Sequence, residues 1–376
     1  MSTSVKRILS LLSVVILTGC GSSPSVKNLS FSGDIYWTEE QIAYLISTNI
    51  GDTTPYNGNM SVSAPRGFLL SFQSSGFKEK KINIYRNEQL TDLEVSYTTT
   101  EDSFTFYNPM FNQKYFWNVS NIDNTYVSET ASFEVKPLTI GPRNLYVDGV
   151  ENFRDLGGWG HMVDGKYVTY MKQGMIYRSG RFNEDKKESV NVTISDDGLY
   201  EVNNHLKIKT EIDLRRSGNN EIGGLIVSVL SPDVKYVNLP MYYGGNNILT
   251  YKGSVSGDSY QYDNPKQIKK FFDLLADVNN YPINFHCSIG KDRTGCMAYL
   301  IEGLMGFDQD MMYRDYMFTN FANAGMCKLT DITDRYGETI DSYTGATLSE
   351  KTYNYLHEVI GVEVTKLDAI KNILGN

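Results

Sequence analysis

Residues 286–295 read HCSIGKDRTG, and this stretch decides the fold of the second half of the chain. The short run Ile283-Asn284-Phe285 precedes it and predicts a buried strand. After it, apolar residues recur at Met297, Leu300 and Leu304, which is the spacing of one helix face. The ten residues therefore form a strand-to-helix loop, which is typical of an α/β domain with a central sheet.

The loop has the features of an anion-binding site. Its backbone N–H groups from Ser288 to Arg293 can converge on one point, where the helix N-terminus adds about half a positive charge. Gly290 permits the backbone angles of a tight cradle. The positive field favours the thiolate of Cys287, which is the nucleophilic form. Because the Arg293 guanidinium can bind two phosphate oxygens in a planar fork, the pattern predicts a thiolate facing a phosphorus atom.

The spacing Cys-x5-Arg-Thr is the signature of the cysteine-dependent phosphatases, and the fuller form here resembles their bacterial tyrosine-phosphatase branch. Further blocks resemble the same branch in the expected order, at 152–158, 177–180, 212–215 and 315–320. The resemblance covers about residues 145 to 330. It implies a phosphatase domain whose central sheet is flanked by helices, and hydrolysis of a phosphate monoester through a phosphocysteine intermediate.

The resemblance also implies roles for the loop residues. Cys287 is the expected nucleophile, Arg293 binds phosphate, and the Thr294 hydroxyl stabilises the leaving thiolate when water cleaves the intermediate. Asp292 is the expected general acid, because no acid follows Pro240, where the classical enzymes carry one. A loop brace is the alternative role for Asp292, which would leave Asp258 and Asp263 as candidate acids. The residues expected to bind substrate are Ser288, Ile289, Gly290 and Lys291.

Charged and polar residues outside these roles are expected to support the loop. The supporting residues are His286, Arg154, Asp155, Arg178, Arg215 and Glu221. His286 is expected to orient the loop through backbone hydrogen bonds, and the charged residues to brace it through ion pairs. An extension of the anion site by Arg154 and Arg178 stays open as the alternative. This chemistry needs no cofactor and no metal, and the other histidines show no metal-ligand spacing.

The N-terminus predicts export with a lipid anchor. Residues 1–19 combine Lys6-Arg7 with a short apolar segment, as signal peptides do, and the Leu-Thr-Gly-Cys that ends at Cys20 resembles the bacterial lipobox. That resemblance implies lipid modification of Cys20 and a mature protein held at a membrane outside the cytoplasm. An ordinary cleaved signal peptide is the alternative. Residues 20–28 predict a flexible tether.

Residues 29–137 predict an all-β sandwich module. Apolar and polar residues alternate in short runs separated by turn residues. The runs lie at 67–72, 81–85, 93–97, 103–106, 115–119 and 131–135. The last two resemble the F–G hairpin of a fibronectin type III or related Ig-like domain. Residues 138–144 are expected to be a linker, and 145–376 to be the phosphatase-like domain.

Composition limits the partners. The 376 residues are 41% hydrophobic, which is globular and sufficient for a full core. The net charge of −9 argues against nucleic acid, since phosphate contacts need a basic face. The family resemblance implies phosphotyrosine as the substrate, with phosphoserine, phosphothreonine or a phosphoinositide also open. An inositol polyphosphate phosphatase and a non-catalytic anion-binding lipoprotein are the alternatives. The sequence identifies no partner for the β-module.

Overall fold

The structure is a computed structural model that describes residues 23–33, 35–56, 63–136, 141–183, 193–216, 221–222, 225–245, 248–256, 259–322 and 327–376. The predicted signal peptide, the predicted anchor Cys20 and the candidate acid Asp258 lie outside these residues. The loop at 286–295 lies within them. Among the described residues, no helix is long and apolar enough to cross a membrane.

Two antiparallel sheets form the N-terminal module. Its elements are β1 (Ser25–Ser32), α1 (Glu39–Leu45), β2 (Phe68–Ser75), β3 (Lys80–Tyr85), β4 (Leu93–Thr99), β5 (Ser103–Phe106), β6 (Lys114–Ser120) and β7 (Ala131–Glu134). One sheet has the order β1-β2-β5 and the other the order β4-β3-β6-β7. Phe31 of the first sheet stacks on Phe133 of the second, with ring centroids 4.5 Å apart. Each of the six predicted runs forms a strand, because its apolar face has a second sheet to pack against.

Two predicted boundaries in this half are wrong. Residues 20–28 are predicted as a tether, but β1 begins at Ser25, which pairs with Ser75 of β2. Residues 138–144 are predicted as a linker, but Arg143–Asn144 forms an edge strand, β8, of the C-terminal sheet. Both segments enter sheets through backbone hydrogen bonds, which composition does not reveal.

A six-stranded sheet organises the C-terminal domain. The further strands are β9 (Arg154–Asp155), β10 (Gly160–Val163), β11 (Lys166–Thr169), β12 (Ile176–Ser179), β13 (Thr210–Asp213), β14 (Lys235–Asn238), β15 (Lys252–Ser254), β16 (Gln261–Asp263) and β17 (Ile283–His286). The sheet order is β14-β13-β17-β12-β9-β8. The four strands from β14 to β12 are parallel, whereas β9 and β8 pair antiparallel. The carboxyl ends of the parallel strands meet at one edge, where ligands bind in open α/β sheets.

Helices pack against this sheet. They are α2 (Asp196–Tyr200), α3 (Asn264–Leu275), α4 (Asp292–Leu304), α5 (Gln309–Phe318), α6 (Leu329–Ile332), α7 (Glu338–Asp341), α8 (Leu348–Asn354) and α9 (Val364–Leu374). The apolar stripe predicted for α4 is fully buried, including Met297 and Leu304. A π-helical turn over Tyr355–Val359 follows α8, and Val359 at its end is 44% exposed. The predicted α/β domain behind a β-rich module is confirmed.

The module and the domain share one hydrophobic core. Buried side chains from both halves belong to a single contiguous cluster. The Tyr36 hydroxyl donates to the carbonyl of Asn144 at 2.6 Å, and the Trp37 indole N–H donates to that of Pro142 at 2.9 Å. The two halves are therefore docked by buried polar and apolar contacts across the segment that was predicted as a linker.

Candidate active site

The loop after β17 can only be built around a glycine at position 290. Gly290 has a φ of +73°, which side chains disfavour. A Cβ at this position would lie 2.6 Å from the carbonyl oxygen of Ser179 on the neighbouring strand β12. The chain therefore turns sharply between His286, the last residue of β17, and Asp292, the first of α4.

The carbonyl oxygens of the loop point outward. The Asn152 side chain donates to the carbonyls of Ile289 and Gly290 at 3.1 and 3.2 Å. Arg178 Nη2 donates to the carbonyl of Gly290 at 2.8 Å. Since each peptide unit is planar with its N–H opposite its C=O, outward carbonyls turn the amides toward the centre of the loop. The loop has the form of an anion-binding nest.

Two arginines and one aspartate brace the loop from beneath. Arg154 Nε lies 3.0 Å from Asp315 Oδ1, and Arg178 Nη1 pairs with Oδ2 of the same carboxylate. Burial raises the pKa of Asp315, but the two guanidiniums outweigh it and hold that pKa below its usual value. The structure buries Arg154 and Arg178 in this ion-pair network. The arrangement matches the bracing role rather than an extended anion site.

Arg293 reaches back toward the nucleophile. Its Nη1 and Nη2 atoms donate to the two oxygens of Glu221 at 2.6 and 3.2 Å, and its guanidinium lies 4.5 Å from the centroid of the Tyr243 ring. Burial disfavours its charged form, but Glu221 and Cys287 raise its pKa above the usual value. Glu221 and Tyr243 thus fix the guanidinium, and the buried Cys287 is close enough to act on it electrostatically.

His286 connects the loop to the neighbouring strand β13. Its Nε2 atom lies 2.9 Å from Glu211 Oε1, and its Nδ1 atom lies 3.2 Å from the carbonyl oxygen of Cys287. The His286 ring therefore touches the backbone of the loop, as expected from the sequence. Arg215 contributes indirectly, because it pairs with Asp213, whose Oδ1 is 4.0 Å from His286 Nδ1.

Glu211, Asp213 and His286 place their ligand atoms within 4.8 Å of one another, which is close enough to hold a metal ion. However, both oxygens of Asp213 accept hydrogen bonds from Arg215. Although burial opposes ionisation, Arg215 and His286 lower the pKa of Asp213 to about 2. The Glu211 carboxylate likewise accepts from Ser228 and His286. These groups form a satisfied hydrogen-bond network rather than a set of open metal ligands.

The Thr294 hydroxyl is buried, and it has no hydrogen-bond partner among the described residues. A buried hydroxyl without a hydrogen bond costs free energy. The position therefore suits a hydroxyl that forms its hydrogen bond with a bound ligand or with a thiolate sulfur. Two further cysteines among the described residues, Cys296 and Cys327, lie outside the loop. Burial raises the pKa of Cys327 to about 12 and that of Cys296 well above its usual value, so both thiols stay protonated.

The start of α4 is held by the segment that includes α6. Arg335 Nη1 lies 2.5 Å from Asp292 Oδ1, and the Tyr336 hydroxyl donates to the Asp292 carbonyl at 2.9 Å. Lys291 Nζ lies 3.4 Å from Asp331 Oδ2. Asp292 is therefore an ion-pair partner within the loop, which is the contact that a brace makes.

Two other predicted residues lie away from the loop. Asp155 accepts two hydrogen bonds from Arg143, at 3.0 and 2.8 Å, and joins β8 to β9. The prediction that Asp155 braces the loop is wrong. Its carboxylate oxygens accept hydrogen bonds from Arg143 and from the backbone N–H groups of Gly157 and Gly174, none of which belongs to the loop. Asp263 caps α3 by accepting from the backbone N–H of Lys266.

The sequence alone did not identify several residues of the site. They are Asn152, Arg181, Glu211, Tyr243, Asp315, Asp331 and Arg335. Arg181 donates to the carbonyl of Ser288 at 3.0 Å. Two of the seven, Asn152 and Asp315, lie within the blocks that carry the resemblance. Their position in these blocks was the only signal that the sequence offered for them. Tyr243 and Arg335 have no local pattern that marks them.

This geometry agrees with the family comparison. A model described as the tyrosine phosphatase family matches residues 145–375. The chain belongs to this family. The match includes β17, the loop and α4, and it ends at residue 375, directly after α9.

Individual relatives are more distant. A protein of Cupriavidus necator, named provisionally as a tyrosine-protein phosphatase, is 25% identical over 207 residues, covering 49% of this chain and 66% of its own length. The provisionally named tyrosine-protein phosphatase OCA1 of Meyerozyma guilliermondii is 32% identical over 92 residues, covering 22% and 50%. The chain thus spans less than two thirds of either relative.

Solved structures show weaker likenesses. The catalytic core of the PP-IP phosphatase Siw14 from S. cerevisiae is 18% identical, with a TM-score of 0.28 over 44% of this chain and 85% of that one. TpbA of P. aeruginosa is 16% identical, with a TM-score of 0.29 over 52% and 94%.

Proposed function

We propose that the protein is a phosphomonoesterase that hydrolyses phosphotyrosine through a phosphocysteine intermediate. The sulfur of Cys287 attacks phosphorus, so that an S–P bond forms while the bond from phosphorus to the phenol oxygen breaks. Water then forms a new O–P bond and breaks the S–P bond, which releases inorganic phosphate and regenerates the thiolate. The observation that carries this proposal is the loop itself, with its carbonyls turned outward and Arg293 fixed beside Cys287.

Each group around the nucleophile has a defined task in this proposal. The inward amides and the Arg293 guanidinium stabilise the charge on the equatorial oxygens of the transferring phosphoryl group. Glu221 keeps that guanidinium in position, and the guanidinium then divides its N–H donors between Glu221 and the phosphoryl group. The Thr294 hydroxyl donates to the sulfur as it departs from phosphorus.

We further propose that Asp292 donates the proton to the leaving oxygen. The ion pair with Arg335 must then open before Asp292 takes up a proton, since a carboxylate held by a guanidinium is an acceptor only. If Asp292 stays paired, it braces the start of α4 instead. The two roles differ in their dependence on the leaving group, which provides the test given in the Discussion.

Two features favour an aryl monoester over an inositol polyphosphate. The Tyr243 ring covers the Arg293 guanidinium and offers an aromatic surface at the phosphate-binding residue. The cations that would bind a second phosphate, Lys291 and Arg335, already contact the carboxylates of Asp331 and Asp292. A polyphosphate would therefore have to displace two ion pairs.

A substrate panel tests this function. Turnover of a phosphotyrosine peptide, a phosphoserine peptide, phosphoinositides and inositol hexakisphosphate should be measured side by side, with chelator present and with vanadate as inhibitor. We expect the phosphotyrosine peptide to be hydrolysed with the highest kcat/KM, insensitive to chelator and blocked by vanadate. Preference for the hexakisphosphate would favour the phytase-like alternative, and no turnover at all would favour an anion-binding lipoprotein.

We also propose that the mature protein is anchored by lipid at Cys20, outside the cytoplasm. The support is the Leu-Thr-Gly-Cys that ends at Cys20, after a short apolar segment. In the native host, the protein should fractionate with membranes, and Cys20→Ser should release or mis-process it. Recovery of most of the wild-type protein in the soluble fraction without detergent would contradict the anchor.

A further inference from the structure

A groove of about 540 Å³ opens where the N-terminal module meets the C-terminal domain. We call it the seam groove. The module forms one side with Tyr97, Thr98, Thr99, Phe104, Thr105 and Tyr107, and the domain forms the other with Tyr146, Asp148, Asp196, Asp197, Tyr200 and Glu201. None of these residues belongs to the phosphate loop or to its braces. The volume lies within the usual range for ligand pockets.

Aromatic rings form the walls of the seam groove. Tyr97 stacks on Phe104 with ring centroids 4.4 Å apart, and Tyr107 lies 4.5 Å from Tyr146 across the seam. The faces of such rings carry partial negative charge and attract cations. Tyr107 and Tyr146 come from different halves of the protein, so the pair exists only in the docked arrangement.

Carboxylates complete the lining. Asp148, Asp196 and Asp197 all line the groove, and among the described residues none of them has a salt bridge to a basic side chain. Asp148 Oδ1 accepts a hydrogen bond from the Tyr146 hydroxyl at 2.9 Å, and Asp196 and Asp197 lie in the first turn of α2. The fourth acid, Glu201, is paired with His205 at 2.7 Å. No lysine, arginine or histidine is among the described lining residues. The described lining of the groove therefore carries net negative charge together with aromatic rings.

We propose that the seam groove binds a lysine or arginine side chain of a basic peptide segment on a partner protein. A cation would gain both the attraction of the ring faces and the pairing with carboxylates, each of which is worth little alone at an exposed site. A neutral sugar could stack on the rings but would leave the three aspartates uncompensated. Charge complementarity thus selects a basic peptide.

The test uses hexalysine as the probe and the full chain as the protein. Binding is measured by titration calorimetry at low salt for wild type, for Asp148→Asn/Asp197→Asn and for Tyr107→Ala. We expect the double variant to lower the affinity at least about fivefold and Tyr107→Ala at least about threefold. Asp164→Asn/Asp233→Asn is the control, because it removes two charges at exposed turns outside the groove. It should change the affinity less than about twofold.

Two results would overturn the proposal. One is equal loss in the groove variant and the charge-matched control, which would mean non-specific attraction to an acidic protein. The other is tight binding of a neutral oligosaccharide such as maltohexaose that depends on Tyr107 but not on the aspartates, which would make the groove a sugar site. Turnover of an aryl phosphate, measured on the same samples, should be unchanged in every groove variant. The two functions can therefore fail separately.

Discussion

At the scale of single residues, Gly290 shows how local geometry carries the chemistry. Its positive φ and its close approach to Ser179 both exclude a side chain. Gly165 is the matched comparison, since it has a φ of +77° but open space where a Cβ would lie, with no atom beyond its chain neighbours within 4 Å. A substitution at Gly290 therefore disturbs both the backbone angle and the contact with Ser179, whereas a substitution at Gly165 disturbs only the backbone angle.

We predict that Gly290→Ala lowers kcat/KM for an aryl phosphate by about 10² or more, because a small displacement of the loop misplaces its amides. Gly165→Ala should cost about 1 kcal/mol of unfolding free energy and leave turnover unchanged. Steady-state kinetics and denaturant unfolding of both variants check this. Equal loss of activity in the two would show that the contact with Ser179 does not matter.

Asp292 gives the second prediction at this scale. If it is the acid, Asp292→Asn should lower turnover about 10² to 10⁴-fold for an ester with a poor leaving group, and much less for an activated aryl ester. The alkaline limb of the pH–rate profile should also flatten. Arg335→Gln removes the ion pair and keeps the carboxyl, so it should leave the leaving-group dependence intact. Equal losses on both esters in Asp292→Asn would assign it to bracing.

The sequence revealed the chemistry of this loop, because its residue types are contiguous. It revealed only some of the side chains that hold the loop in place, such as His286 and Arg178. Glu211, Asp331 and Arg335 come from separate segments, and only tertiary packing brings them to the loop. A lone charged residue carries no periodic or spacing signal, so its partner cannot be inferred from one chain.

At the scale of elements, α5 is coupled to β9 and β12 through one carboxylate. Asp315 of α5 binds Arg154 of β9 and Arg178 of β12, and Arg178 in turn holds the Gly290 carbonyl. The start of α3 was predictable from the sequence, since Asn264-Pro265 places a proline in the first turn of this helix. The spacing of its buried residues also marks one helical face. The two-residue strands β8 and β9 were not, because they are too short to show alternation.

We predict that Asp315→Asn destabilises the protein by about 3–5 kcal/mol, since it leaves two buried guanidiniums without their counter-charge. Asp310→Asn on the same helix is the control, because Asp310 is exposed, and it should change stability by less than about 0.5 kcal/mol. Denaturant unfolding gives both values. Similar stabilities of the two variants would mean that the buried network contributes little to folding.

At the scale of the whole molecule, a buried charge cluster docks the two halves. His205 of the domain lies between Glu94 of β4, at 3.2 Å, and Glu201, at 2.7 Å. Burial opposes its charged form, but Glu201 and Glu94 raise the pKa of His205 to about 9. Burial raises the pKa of Glu94, but His205 and Arg86 outweigh burial and lower that pKa to about 2.

These shifts predict a pH dependence of stability. The contribution of His205 is fully present below its unfolded pKa of about 6.5 and is lost as pH rises through about 9, because the folded state holds the proton more tightly. The loss should be on the order of 3 kcal/mol. Unfolding free energies of wild type and His205→Gln from pH 6 to 10 check this. Parallel curves would contradict a charged His205 at the interface.

The central claim is that Cys287 forms a covalent bond to phosphorus, and rapid-quench trapping tests it most directly. Wild-type protein is mixed with ³²P-labelled phosphotyrosine peptide, denatured within milliseconds at alkaline pH and analysed for alkali-stable, acid-labile label on residue 287. We predict label on Cys287 in the wild type. In Cys287→Ser, we predict no thiophosphate and turnover below about a thousandth of wild type, with phosphate binding retained. Rapid turnover in Cys287→Ser, or hydrolysis by wild type without any label on Cys287, would contradict the account.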